Sequence, residues 1–550
     1  MKRKLIIVGL DGATFDVIDP LLQKGQLPCL ARLIGEGTRA TLMSTIPYST
    51  IPAWPSFMTG KNPGRHGVFD FFTVEDGRRR LTSSRDIRSR TLWEILSQNG
   101  RRSVVMNVPG TYPPAPINGV LVTGMLTPRE SPFTSPPEVA DLLHQVTGGY
   151  RINCQSHLSG QRLVDDVLTV TEKHKKGFLT LLRRDEWDFA MLMFRATDVI
   201  QHHFWDRRDV VELCYREIDR CIEDIAHAFP EATIILVSDH GLQGQQWDFH
   251  VNKWLLDQGY MHIKRGRTAE LSRWEQIADL EGRGALAQGR LHPSRVSRAL
   301  LKLGITGHNV RKLIPGHWWT SLKKAVPQSM RDHLPAGKDL EYEVDWDRSL
   351  ASAYQLYATE SKAIQILGTD QETRRRVRGE IIEKLEQLCN PLTDAPIVRR
   401  AYRREELYEG PYAHHAPDII LDLHNGYNVT NAFFANDYCT LRDEIRGCHH
   451  REGIFVAFGE DVREGVTLDS PLSLMDAMPT ALHYLGSAVP GDCDGRVVTT
   501  EIFKPDCEVC RREVRFERPQ ATELGLEEVS PYVDEDQAEI EERLRALGYL

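Results

Sequence analysis

Asp11, Thr50, Asp198, His202, Asp239, His240 and one of the adjacent pair His449 and His450 are side chains that can do chemistry together. Carboxylates mixed with imidazoles suit zinc or a similar divalent ion. Two such ions about 4 Å apart can clamp the entering and leaving oxygens of a phosphoryl transfer, with a hydroxyl as nucleophile. Thr50 stands just before what reads as a helix start. Pro52 fits the first turn, Ala53, Trp54, Phe57 and Met58 recur at helical spacing, and Gly60 ends the run. A hydroxyl there faces the positive end of the helix dipole and its unpaired N–H groups, which favours an alkoxide; its plainer role is a helix cap. Asp198 and His202 are four residues apart, so on a helical turn they share one face. Taken alone, that pair also reads as a polar cap and a surface histidine. Ser238-Asp239-His240 follows directly on the apolar run Thr233–Val237, and Gly241 allows a tight turn after it.

These residues need elements that bring them to one place. Leu5–Leu10 and the runs 103–107, 119–124, 187–194 and 233–237 are apolar and of strand length, as buried parallel strands are. Helical patterns cover 20–35, 91–98, 139–146, 163–182 and 210–229, and the Pro- and Ser-rich stretch 127–137 reads as a loop. This alternation predicts an α/β fold with a doubly wound, mostly parallel sheet. Such sheets place ligands at the carboxyl ends of their strands, where Asp11 falls. From 262 to 339 strand-like runs vanish and basic residues such as Lys264, Arg265, Arg267, Arg295 and Lys323 crowd in. This insertion reads as a helical cap, either simply solvated or serving as a lid that steers an anionic substrate or touches an anionic membrane surface. Sheet-like runs resume at 363–367, 418–423 and 454–458, with helices at 372–388 and 474–485. The expected organisation is a catalytic core over 1–261 and 340–505, the insertion at 262–339, and a tail at 506–550. The terminal helix of that tail, with Ile540, Leu544 and Leu547, is expected to pack on the surface.

Composition narrows the classes. The 550 residues carry a formal charge of −9, which argues against a general nucleic-acid binder. No run approaches the length of a membrane-spanning helix. Met1-Lys2-Arg3-Lys4 followed by Leu5–Leu10 imitates a signal peptide only briefly, because the apolar run meets Asp11; it reads as the first buried strand of a cytoplasmic protein. Most of the ten cysteines read as reduced core thiols, and the single CxxC of Cys507 and Cys510 lacks a second pair at zinc spacing.

Taken in order, the motifs resemble the alkaline phosphatase superfamily, and within it the type I phosphodiesterase/nucleotide pyrophosphatase group. The resemblance is carried by Gly9-Leu10-Asp11-Gly12, by Thr50-Ile51-Pro52 with Thr59-Gly60 and His66-Gly67, by Asp198 to His202, and by Asp239-His240-Gly241. His450-Arg451 before Glu452-Gly453-Ile454 and Asp476-Ala477-Met478-Pro479-Thr480 with Asp494-Gly495-Arg496 extend it. It covers residues 4 to 505 apart from the insertion.

The resemblance implies two divalent metal ions, zinc or manganese. Asp198, His202 and His450 would hold the first; Asp11, Asp239 and His240 would hold the second, with Thr50 as its alkoxide ligand. His450 is preferred to His449 because the resemblance places the ligand directly before an arginine. It further implies in-line attack by Thr50 on phosphorus, a phospho-threonine intermediate, and its hydrolysis by water with net retention. The expected substrate is a small-molecule or lipid-linked phosphate ester rather than a nucleic-acid polymer, with peripheral membrane contact through the insertion.

Two departures from the pattern matter. Sulfatases of the superfamily carry a C/S-x-P-x-R pattern, whereas here Thr50, Pro52 and Trp54 occupy those places. Nucleotide pyrophosphatases usually carry Asn three residues after the nucleophile, and here that residue is Ala53, so another group must hold the phosphoryl oxygen. Competing readings are a phosphomonoesterase, a phosphoryl or phosphoglycan transferase and, from another class, a non-catalytic binding protein that keeps the fold.

Overall fold

In the computed structural model, which describes residues 3–75, 78–265, 342–353, 362–367, 370–430, 435, 437–518 and 530–547, Leu5–Leu10 (β1) is buried at every position. A strand covered on both faces must be apolar in this way. The next turn is capped by the Thr14 side chain, which starts the helix Phe15–Gln23 (α1); Pro28–Gly35 (α2) follows. The single helix expected over 20–35 is therefore two. Gly25, at φ +67°, takes the left-handed conformation that ends the first, and Pro28 opens the second.

Thr38–Met43 (β2) leads into Thr50–Thr59 (α3). Ser103–Val108 (β3), Gly119–Thr123 (β4) and the short Thr134–Ser135 (β5) come next, the last inside the stretch read as a loop. Gln161–Arg184 (α4), Phe189–Phe194 (β6), Ala196–Phe204 (α5), Arg208–Ala228 (α6), Thr233–Val237 (β7) and Gly241–His250 (β8) continue the chain. The later elements are Ala351–Ala353 (β9), Ala363–Ile366 (β10), Gln371–Glu386 (α7), Val398–Arg403 (β11), Ile419–Leu423 (β12), Tyr427–Thr430 (β13) and Cys439–His450 (β14). Glu452–Phe458 (β15), Val466–Thr467 (β16), Leu472–Ser473 (β17), Ala477–Tyr484 (α8) and Asp534–Ala546 (α9) complete the set used below.

Among the described residues, ten strands form one sheet in the order β16-β2-β15-β7-β1-β6-β3-β4-β5, with β17 also paired to β2. β1 lies parallel to β6 and β7, and β3 parallel to β6 and β4; β15 and β5 run the other way. This is the mostly parallel α/β sheet that the alternation predicts. Because β1, β6 and β7 are parallel neighbours, their carboxyl ends emerge side by side, and Asp11, Asp198 and Asp239 follow them there.

β8 pairs antiparallel with β14, setting Leu242 opposite His449 and Gly241 opposite His450, and parallel with β13. Gly241 does not make the tight turn expected of it. It begins β8, and a Cβ there would lie 2.2 Å from the Glu452 carbonyl oxygen, so the requirement is close backbone approach. A smaller antiparallel sheet, β9-β10-β12-β11, is covered by Val377, Ile381 and Leu385 of α7 and joined by Phe249 and Trp254, giving a second apolar core. The second core draws on residues 249–261 and 344–439, and the main core takes in residues of the tail as well. Ile263–Arg265, at the start of the expected insertion, pairs with Tyr342–Val344; residues 266–339 of the insertion lie outside the described residues.

The tail helix packs more deeply than a surface helix. Ile540, Leu544 and Leu547 join the main core. Buried Arg543 donates to the carbonyls of Met125 at 2.9 Å and Thr127 at 3.1 Å. All ten cysteines are free thiols, and no described helix is long and apolar enough to cross a membrane.

Candidate active site

The backbone at the carboxyl end of the sheet fixes the first carboxylate. The Asp11 N–H donates to the Phe194 carbonyl at 2.9 Å, and the Thr197 hydroxyl donates to the Asp11 carbonyl at 2.6 Å. Gly12 follows at φ +65°, where a Cβ would meet Leu242 Cδ1 at 2.1 Å; only glycine fits. The Gly12 N–H donates to Asp239 Oδ1 at 3.3 Å, which ties the ends of β1 and β7 together.

Thr50 is the first residue of α3, with Ser49 before it as the capping residue. The Ser49 side chain makes no capping bond, so Thr50 and the unpaired N–H groups of the first turn share one buried place. Thr50 Oγ1 lies 3.3 Å from His240 Nε2. Gly60 closes α3 in the left-handed conformation, as its position implies.

Asp198 and His202 stand one turn apart on α5, as their spacing predicts, with Oδ1 and Nε2 3.3 Å apart. The third member is His449, whose Nε2 lies 3.5 Å from Asp198 Oδ1 and 3.0 Å from His202 Nε2. This corrects the expectation of His450. Neighbouring residues on a strand point to opposite faces, and the register of β14 turns His449 inward. His450 Nδ1 instead accepts the Glu452 N–H at 3.3 Å, with Glu452, Asp16, Arg399 and Lys362 as its charged surroundings.

Backbone carbonyls orient the three imidazoles. His202 Nδ1 donates to the Gly447 carbonyl at 3.0 Å, His449 Nδ1 to the Tyr48 carbonyl at 3.2 Å, and His240 Nδ1 to the Gly241 carbonyl at 3.2 Å. A carbonyl can only accept, so each Nδ1 carries a proton and each Nε2 faces the cluster, where a cation would take its lone pair. The carboxylates sit under strain of charge. Burial, then the charges of Asp239 and Asp198, raises Asp11 well above the usual carboxylate range. Burial and Asp198 push Asp239 up to about 7. Burial opposes the ionisation of Asp198, yet His202 and His449 hold it well below the usual range. Burial and His449 hold His240 well below an ordinary imidazole.

These residues fit divalent metal. Among the described residues, both carboxylate oxygens of Asp11 and Oδ2 of Asp239 are buried without a hydrogen-bond partner. Three carboxylates and three imidazole Nε2 atoms converge on one buried pocket, a donor set that divalent cations suit. Ligand atoms of Asp198, His202 and His449 lie within 4.8 Å of one another, as do those of Asp11, Asp198 and His240. Tyr48 and Gly447 were not foreseen. They act through main-chain carbonyls, which residue type does not reveal.

A family model for type I phosphodiesterase/nucleotide pyrophosphatase matches residues 5–335. No curated protein sequence matches the chain. Among solved structures, phosphonoacetate hydrolase from Sinorhizobium meliloti 1021 in complex with phosphonoformate is similar at a TM-score of 0.53 and 15% identity, over 88% of this chain and 96% of that one. The same hydrolase in complex with phosphonoacetate gives a TM-score of 0.52 at 15% identity, over 88% and 96% of the two chains. Human ectonucleotide pyrophosphatase/phosphodiesterase 5 is similar at 0.48 and 12% identity, over 90% of this chain and 97% of that one. At 15% identity the likeness to the phosphonoacetate hydrolase is one of fold.

Proposed function

The chain belongs to the type I phosphodiesterase/nucleotide pyrophosphatase family, hydrolases of the alkaline phosphatase superfamily, and on that footing we propose that it hydrolyses a phosphate diester or pyrophosphate with Thr50 as nucleophile at a two-metal centre. The observation that carries this reading is the place of Thr50, buried at the N-terminus of α3 and 3.3 Å from a histidine of the acceptor cluster. Asp198, His202 and His449 would hold one ion, and Asp11, Asp239 and His240 the other. Zinc suits this donor set, and manganese is the alternative. When bound, such ions supply positive charge to the attacking and leaving oxygens.

The chain's own groups do the rest. The first-turn N–H groups and dipole of α3 lower the cost of negative charge on Thr50 Oγ1. Attack on phosphorus forms the Thr50–phosphate bond and releases the alcohol or phosphate leaving group. Water then cleaves that bond and restores the hydroxyl, so two inversions retain configuration. The carbonyls of Tyr48, Gly447 and Gly241 keep each ligand imidazole in one tautomer through both steps. Ala53 offers no donor to a phosphoryl oxygen, so the reading extends to small-molecule or lipid-linked phosphate esters and assigns no nucleobase.

The test is turnover of bis-p-nitrophenyl phosphate against p-nitrophenyl phosphate, using metal-stripped protein reloaded with Zn²⁺ or Mn²⁺. Metal-dependent diester preference is expected, with a loss of about 10³-fold or more in Thr50→Ala. Monoester preference would replace the reading with a phosphomonoesterase. Unchanged turnover in Thr50→Ala would remove Thr50 from the mechanism.

A further inference from the structure

The carboxyl end of β2 borders a separate cleft of about 270 Å³, lined by neither Thr50 nor any residue of the metal cluster. Its walls are apolar, formed by Met43, Ile46, Leu407, Leu472 and Met475. Most polar groups at its rim are already engaged. Asn62 Nδ2 donates to Asp494 at 2.7 Å, the Tyr408 hydroxyl donates to the Ile46 carbonyl at 2.6 Å, and Ser473 Oγ accepts the Met475 N–H at 3.3 Å.

Two are not. Ser44 is 4% exposed, and among the described residues its Oγ has no hydrogen-bond partner. Arg451 makes one long bond, from Nε to the Ser44 carbonyl at 3.5 Å, and among the described residues it has no ion pair. The Ser44 N–H in turn donates to the Arg451 carbonyl at 2.9 Å, so both side chains issue from one backbone junction at the end of the β2–β15 ladder. A guanidinium with no carboxylate partner and a buried hydroxyl with no partner, among the described residues, line the same apolar cleft and are together the complement of a ligand with an anionic head and an apolar body.

We propose that this cleft binds a small amphiphilic anion, with its carboxylate or phosphate head on Arg451 and Ser44 Oγ and its apolar chain against Met43 and Met475. The segment that lines the cleft runs on through Tyr48 and Ser49 to Thr50, so an occupant abuts the loop that carries the nucleophile. Binding does not depend on the reaction proposed for Thr50.

The test uses the full chain labelled at its methionine methyl groups, with the Met43 and Met475 signals assigned by Met→Leu substitution. Hexanoate, hexyl phosphate and neutral hexanol are each titrated to about 10 mM, a range suited to ligands of this size. At least one of the two anions is expected to shift both signals, and the one that binds names the head group; hexanol leaves them in place. Arg451→Met should weaken that binding about tenfold or more, Arg451→Lys less, and Thr50→Ala not at all. Unshifted remote methionine signals in Arg451→Lys show that the fold is kept. Silence with both anions overturns the proposal. So does an equal response to hexanol, and so does anion binding that survives Arg451→Met and is lost in Thr50→Ala.

Discussion

His66 is fully buried beside α3, its Nδ1 accepting the Val68 N–H at 3.2 Å and its Nε2 bonded to Ser56 Oγ at 2.9 Å. Burial, then Lys61, lowers its pKa to about 3, and burial lowers that of His174 to about 4. An unfolded histidine titrates near 6.5, so roughly below that pH the unfolded chain takes up protons that the folded one refuses. The stability these neutral imidazoles contribute is present above the unfolded value and is lost as pH falls toward the folded one, at about 1.4 kcal/mol per pH unit each. Thermal unfolding followed from neutral pH down to about 4.5 should show this decline, and His66→Gln should remove one histidine's share of the slope. An unchanged slope would contradict the assignment. At this scale Asp11, Asp239 and His240 were legible because each follows an apolar strand run, and Asp198 with His202 because of helical spacing. His449 was not. Choosing it over His450 needs the parity of β14, and that parity is set by pairing with a strand whose sequence, Gly-Leu-Gln-Gly-Gln-Gln, does not announce itself.

β14 meets α5 at Gly447, where a Cβ would lie 2.4 Å from the Gln201 carbonyl oxygen and 2.9 Å from Leu242 Cδ2. The first of these is backbone of the helix that carries His202, and it cannot swing aside. Gly447→Ala is expected to cost about 1–3 kcal/mol through overpacking and to weaken zinc retention by shifting His202 against His449. Thermal unfolding and calorimetric zinc titration read both effects; a variant equal to the parent in both would contradict the close-packing account. The parallel strands were legible as apolar runs because both faces are covered. β14 was not, since its middle, with Arg442, Asp443 and Glu444, carries charge. The break between α1 and α2 turns on a left-handed glycine, a feature that apolar spacing alone does not register.

The smaller sheet braces the segment that leads to Thr50. Lys362 donates to the Tyr48 hydroxyl at 2.8 Å, and the Tyr408 hydroxyl reaches the Ile46 carbonyl. On the other lobe the tail helix completes the main core, so Leu544→Ala is expected to cost about 2–5 kcal/mol, read as a lower denaturant midpoint. An unmoved midpoint would return the tail to the surface role that its acidic composition implies. That composition misleads because only one side of the helix, with Ile540, Leu544 and Leu547, is apolar, and the sequence does not say what it meets. The assembly as a whole rests on one claim: the cluster at the carboxyl end of the sheet holds two ions, one of them through His449. Zinc content by elemental mass spectrometry, on stripped protein reloaded and freed of excess metal, tests it most directly. About two zinc ions per chain are expected in the parent and in His450→Ala, and about one in His449→Ala. A chain that retains no zinc, or one that loses it with His450 and keeps it without His449, would contradict the account.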